Sequence, residues 1–238
     1  MRQLTLDVQL PDLATFGNFV SGDNAEVVDA VRRHAESRPD PVLWLRGPAD
    51  VGKSHLLAAA CNLLRAAGGK VAFLSGAGAA QATPAATDGW SSLHLVAIDN
   101  IDAIAGHREW EKTLFAVFNQ LRDAHGAMLV ASRSGPRDVE FALPDLASRL
   151  ASGPVYQLRP ISDGDRLAAL RARAQQRGFE LPEETGRFLM YRVPRDLSSL
   201  FDLLDHLDVA ALRAQRRLTI PFVRQILQSR QGSEDLEN

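Results

Sequence analysis

The sequence predicts an α/β protein in which a five-stranded parallel sheet flanked by helices is followed by a small all-helical domain. Three observations carry this reading. Five short, nearly continuous apolar runs fall within the first 160 residues, helical patterns separate most of them, and past about residue 160 the apolar residues recur only at helical spacing. A chain of 238 residues suits one large α/β domain, or one domain with a small appended one.

The strand candidates, in order, are "PVLWLRG" (41–47), "KVAFLSG" (70–76), "LHLVAIDN" (93–100), "AMLVAS" (127–132) and "VYQL" (155–158). Continuous rather than alternating apolarity is what strands covered on both faces require. Between the first two, "KSHLLAAACNLLRAAGG" places Leu56, Ala60, Leu63 and Leu64 on one helical face, and Gly68-Gly69 stops it. Residues 108–126 repeat the pattern with Trp110, Leu114, Val117, Phe118 and Leu121. Residues 75–89, rich in small side chains, are expected to form a flexible surface loop. In the C-terminal part, Ser162 with Asp165 resembles a capping box, Pro182 opens a second helix, and Leu197, Leu200, Phe201, Leu204 and Leu207 form the stripe of a third. Thr219 caps a fourth, with Val223, Ile226 and Leu227 inward. The resulting division is an N-terminal segment 1–12, a nucleotide-binding base 13–160, a helical unit 161–228 and a disordered tail 229–238.

Composition excludes some functions. A formal net charge of −2 gives no global basic field, so strong sequence-independent binding to nucleic acid is not expected. The single cysteine, Cys61, forbids an intramolecular disulfide and belongs on a buried helix face. The N-terminus lacks the apolar core of a signal peptide, and no uncharged apolar run approaches the ~20 residues that span a bilayer; the expectation is a cytoplasmic protein.

The chemistry concentrates at "RGPADVGKSH" (46–55). Gly47 and Gly52, with four residues between them and Lys53 and Ser54 following, have the spacing of a phosphate-binding loop, set between a strand and a helix as that motif requires. In the nucleotide-binding stretch Gly47–His55, backbone N–H groups (Pro48 has none; Ala49, Asp50, Val51 and Gly52 each have one) and the N-terminus of the helix that opens at Lys53 and includes His55 cradle phosphates, Lys53 supplies a positive charge, and the Ser54 hydroxyl is offered to Mg²⁺. At the end of "LVAIDN", Asp99 is the second Mg²⁺-holding group. Next to it, where many ATPases of this architecture carry a carboxylate to position water, stands Asn100, a very poor base. Asp102, expected on an extended chain just beyond, does not fully replace it. The chemistry predicts tight binding of ADP or ATP with slow intrinsic hydrolysis.

These segments resemble the AAA+ class, and more specifically the bacterial replication initiator DnaA and its relatives: "TFGNFVSGDN" (15–24), "GPADVGKSHLL" (47–57), "IDNIDAIAGHREWE" (98–111) and "LPDLASRL" (143–150). With "GFELPEETGRFL" (178–189) and "RRLTIPFVRQIL" (216–227), the chain is most similar to the Hda family of regulatory inactivators of DnaA, over roughly residues 2–228. Several assignments follow from the resemblance alone. Arg149 matches the family's arginine finger, a residue delivered in trans to ATP bound on DnaA; without the resemblance it reads as a surface arginine on a short helix. Arg195 matches the sensor 2 arginine of the lid, and Ser132 the sensor 1 position, although Arg133 stands where an acidic residue is usual. Phe19 and Val20 match residues walling the adenine pocket, and equally suit an ordinary core.

"QLTLDV" (3–8) is similar to the motif by which such proteins bind the β sliding clamp, with Gln3 as polar anchor and Leu4, Leu6 and Val8 as apolar fillers. The same alternation fits an N-terminal edge strand. The family also implies that the helix-turn-helix DNA-binding domain of the initiator is missing after the lid, so that DNA is met only through the clamp, and that self-association into a homo-oligomer is open. Two other readings stay in play: an autonomous ATPase of the helicase-loader type, and a non-catalytic clamp adaptor.

Overall fold

In a computed structural model, residues 14–79, 83–192, 197–214 and 218–234 are described. Gln3, Leu4, Leu6, Val8 and Arg195 lie outside them. The chain divides into two compact units between Pro160 and Ile161.

The first unit holds strands β1 (Val42–Arg46), β2 (Val71–Ser75), β3 (Leu95–Asp99), β4 (Ala127–Ser132) and β5 (Val155–Gln157), all at the five predicted positions. They form one parallel sheet of order β2-β3-β4-β1-β5. Its two faces explain the continuous apolarity. Leu43, Leu45, Leu95, Ala97, Leu129 and Ala131 point to one side, against α1 (Ala25–Ser37) and α2 (Lys53–Ala66). Val42, Trp44, Val96, Ile98, Met128 and Val130 point to the other, against α4 (Arg108–Asp123) and α5 (Pro144–Leu150). Every residue of β3 is buried, so a polar group at its end is an exception that needs a partner.

Helix α1 was not legible as an element from the sequence. Its buried stripe of Val27, Val28, Val31 and Ala35 leans on valines, which are modest helix formers, and its end is set by Arg38 in the left-handed region (φ 48°), whose N–H reaches the His34 carbonyl at 3.1 Å. Ahead of it, the buried Asn24 side chain pairs with both backbone groups of Arg159, donating to its carbonyl (2.9 Å) and accepting from its N–H (2.8 Å).

The region 75–89 departs from the expected flexible loop. Among its described residues Gly76–Ala79 form a short helical turn, α3, and Pro84–Thr87 a 3₁₀ turn, with Ala79 and Thr87 buried; just past it, Trp90–Ser92 form a second 3₁₀ turn with Trp90 buried. The indole of Trp110 donates to the Ala79 carbonyl at 3.1 Å. Small side chains let this segment lie flat on α4, and the buried indole needs an acceptor there.

The second unit contains α6 (Asp163–Gln176), α7 (Glu183–Arg192), α8 (Leu197–Ala214) and α9 (Ile220–Glu234) among the described residues. Ser162 caps α6, accepting from the Asp165 N–H (3.1 Å) and donating to its carboxylate (2.7 Å). Leu170, Leu181, Leu189, Leu200, Leu204, Leu207 and Val223 make its core. Arg173 on α6 and Arg177, its C-cap, bridge to Asp205 and Asp208 on α8 at 3.0–3.2 Å. Helix α9 continues through Glu234, so residues 229–234, expected in a disordered tail, are helical. Among the described residues no helix is long and apolar enough to cross a membrane.

Candidate phosphate-binding site

The site lies at the carboxyl ends of the strands, where ligands of open α/β sheets collect. β1 delivers the chain into the loop at Gly47, a position closed to any larger residue: an added Cβ would stand 2.6 Å from the Leu158 carbonyl oxygen and 3.2 Å from Val51 Cγ2. Asp50 takes a left-handed backbone (φ 60°). Gly52 does so more strongly (φ 93°), and turns the chain into α2. Lys53 is buried, and its ammonium donates to the carbonyls of Gly47 (2.9 Å) and Pro48 (2.6 Å), folding the loop around itself. Burial pushes the Lys53 pKa below the usual lysine value, with Asp99 and Asp102 pulling it back up.

Asp99 shares the sheet face of Leu95 and Ala97, the face covered by α2, and so meets the start of that helix. The Ser54 hydroxyl donates to its Oδ2 at 2.5 Å, and the Asn100 N–H donates to its Oδ1 at 3.0 Å. Ser54 and Asp99, predicted from separate motifs 45 residues apart, are thus brought into contact. Two hard oxygen donors, one of them an almost fully buried carboxylate (5 % exposed), suit Mg²⁺, which takes one or two protein oxygens and completes its shell with phosphate and water.

Beyond Asp99 the chain is not extended. Asn100 turns left-handed (φ 50°, ψ 50°), and Ile101–Ala103 form a 3₁₀ turn carrying Asp102 at its exposed surface. Asn is among the few residues enriched in that conformation, which supplies a backbone reason for the residue in place of a carboxylate.

Other sequence candidates are distributed as follows. Phe19 sits on the loop itself, its Cε2 2.5 Å from where a Gly52 Cβ would stand, and its ring centroid is 5.4 Å from that of His55. His55 accordingly points to the N-terminal segment, with Nε2 2.9 Å from the Thr15 carbonyl. Val20 is half-buried. Ser132 is fully buried on the face of Met128 and Val130, opposite to that of Asp99; its hydroxyl accepts from the Trp44 indole (3.1 Å) and donates to the Ser134 carbonyl. Arg133 is exposed. Arg149 is exposed on α5, whose Leu146 and Leu150 are buried, and no ion pair holds its guanidinium among the described residues. A residue the sequence did not single out is Glu111, fully buried, whose carboxylate accepts three backbone N–H groups. Only the contrast between an acidic residue and the apolar stripe around it marks the position.

A phosphate loop between β1 and α2, an acidic residue ending β3, a 2-3-4-1-5 parallel order and, following in sequence, a unit whose described residues form four helices define the AAA+ class of nucleotide-binding proteins. Residues 10–157 match the model of the bacterial DnaA ATPase domain and residues 163–227 that of the Hda lid domain. The chain belongs to the Hda family within the DnaA-related AAA+ proteins. The fold is shared with domain III of the Thermotoga maritima replication initiation protein DnaA, at 22% identity and a TM-score of 0.76, covering 91% of this chain and 96% of that one. AMPPCP-bound DnaA from Aquifex aeolicus aligns at 23% identity and TM-score 0.68 over 83% of this chain and 66% of its own. The Thermotoga maritima RuvB Holliday junction branch migration motor aligns at 15% and 0.69, over 93% and 73%.

Proposed function

We propose that this protein is a negative regulator of replication initiation that acts on DnaA: it holds ADP or ATP with Mg²⁺ in its own phosphate loop and supplies Arg149 in trans to ATP bound on DnaA. The observation that carries the reading is the pairing of a formed phosphate site, where Ser54, Asp99 and Lys53 converge, with an exposed guanidinium on a short helix held by buried leucines. The DnaA structures it resembles include ones bound to AMPPCP, an adenine nucleotide analogue, which supports the choice of nucleotide.

In this reading the loop N–H groups and Lys53 take the phosphates, while Ser54 and Asp99 hold the metal, which neutralises phosphate charge when bound. Asn100 carries no base, so the chain's own nucleotide is a structural ligand. Arg149, always charged, stabilises the charge that develops on DnaA's ATP, an effect worth about 10³–10⁵ in rate for arginines supplied in trans. Residues 3–8 bind the β sliding clamp, which restricts the reaction to DNA that has already been replicated.

The test is reconstitution of ATP-loaded DnaA, clamp-loaded DNA and this protein, with hydrolysis followed over time. Stimulation that disappears in Arg149→Ala, while clamp binding persists, supports the reading. Stimulation indifferent to that change leaves the adaptor reading, and brisk ATP turnover by the isolated chain leaves the helicase-loader type.

A further inference from the structure

Glu111 is an acidic side chain with no exposed surface, and it takes part in none of the ion pairs among the described residues. Its Oε1 accepts from the N–H of Gly106 (2.7 Å) and of Ala142 (3.0 Å), and its Oε2 from the N–H of Leu143 (2.6 Å). A buried carboxylate is tolerated only when its lone pairs are met in this way, and charge-assisted bonds of this kind are about twice as strong as neutral ones. The three amides belong to two different segments. Gly106 closes the turn that leaves Asp99 and Asn100 and begins α4, whereas Ala142 and Leu143 immediately precede Pro144, the first residue of α5.

Helix α5 has seven residues and no side-chain cap at Leu143. A helix this short does not hold its own conformation or direction. Its orientation is set by what grips it: Leu146 and Leu150 in the core below, and the Glu111 carboxylate at its entrance. Arg149 is exposed on the same short helix, one residue before the buried Leu150 and three after the buried Leu146. We infer that Glu111 is the positioning residue for Arg149: through the amides of Ala142 and Leu143 it aims the arginine, and through Gly106 it references that aim to the segment leaving the chain's own nucleotide site. The inference rests on the reading of Arg149 as the group delivered to DnaA.

The experiment uses the full chain. In Glu111→Gln one acceptor oxygen becomes an amide that donates, so an N–H is set against the N–H of Ala142 or Leu143 while size is kept. In the reconstituted assay, stimulated hydrolysis at saturating protein falls on the order of 10–10²-fold, as expected for a catalytic group displaced by about 1 Å. The concentration giving half-maximal stimulation stays near the wild-type value, because Arg149 still reaches the same surface. Amide exchange of residues 144–150 speeds up while that of β1 and β4 is unchanged. In the unaltered protein, the Ala142 and Leu143 amides exchange as slowly as those of the sheet; exchange at the rate of open loops overturns the inference without any variant. Wild-type turnover in Glu111→Gln, with Arg149→Ala inactive, also overturns it. If Arg149→Ala keeps full stimulation, the trans-arginine reading is what has failed, and the exchange rates of 142–150 still decide whether Glu111 holds the helix.

Discussion

Replacing Gly52 by Ala tests the seating of the phosphate loop, and its cost separates into two parts. The backbone at φ 93°, ψ 18° is left-handed, which costs an L-residue about 1–2 kcal/mol. The new Cβ would stand 2.5 Å from Phe19 Cε2 and 3.2 Å from its Cζ, against about 3.5–4.0 Å for ordinary carbon contacts, so the ring has to move by about 1 Å. Phe19 packs on the core shared with α1 and α2, and overpacking of that kind costs about 1–3 kcal/mol. Together Gly52→Ala loses about 2–5 kcal/mol. In a Phe19→Ala background the ring is gone and only the backbone part, about 1–2 kcal/mol, remains. Urea unfolding followed by tryptophan emission measures this directly, since Trp44, Trp90 and Trp110 all lie in the first unit. Equal costs in both backgrounds would refute the contact between ring and loop, and a cost below about 0.5 kcal/mol would refute the left-handed turn.

Three further outcomes are expected. Burial holds the His34 pKa below its ordinary value, its bond to the Met128 carbonyl and Asp40 only partly offsetting this, so the folded state keeps the ring neutral. The unfolded chain then binds more protons below about pH 6.5, and urea midpoints fall as pH drops through that window, less steeply in His34→Gln; identical slopes would exclude His34 as the cause. The Cys61 thiol is fully buried and pushed up to about 12, so a disulfide reagent at pH 8 labels it only at the rate of unfolding, and rapid labelling of the native protein would contradict its placement. Ser132→Ala removes one acceptor from the Trp44 indole and lowers stability by about 1 kcal/mol with a shift in tryptophan emission, while ADP affinity stays unchanged because Ser132 faces away from the sheet side of Asp99; a large loss of ADP affinity would show that it reaches the phosphates.

The parts legible in the sequence are those whose physics is local. Five strands buried on both faces must be continuously apolar, so "PVLWL", "LVAI" and "AMLVA" identify themselves without their neighbours. The phosphate loop is legible for the same reason: the glycines, Lys53 and Ser54 act within one turn of chain, and Gly47 and Gly52 prove closed to side chains by contact and by backbone angle. The capping of α6 by Ser162 is equally short-range.

What the tertiary structure alone decided are the pairings between distant segments. Whether Asp99 faces Ser54 depends on the side of the sheet to which α2 returns, and the same parity sends Ser132 to Trp44, 88 residues away. That Asn100 is left-handed, that Ala79 is held by the Trp110 indole, and that α1 is a helix at all are settled by what packs against them. Glu111 is the sharpest instance. Its partners are backbone N–H groups 31 and 32 residues on, and since every non-proline residue carries such a group, no residue type in the sequence marks which ones a buried carboxylate will hold.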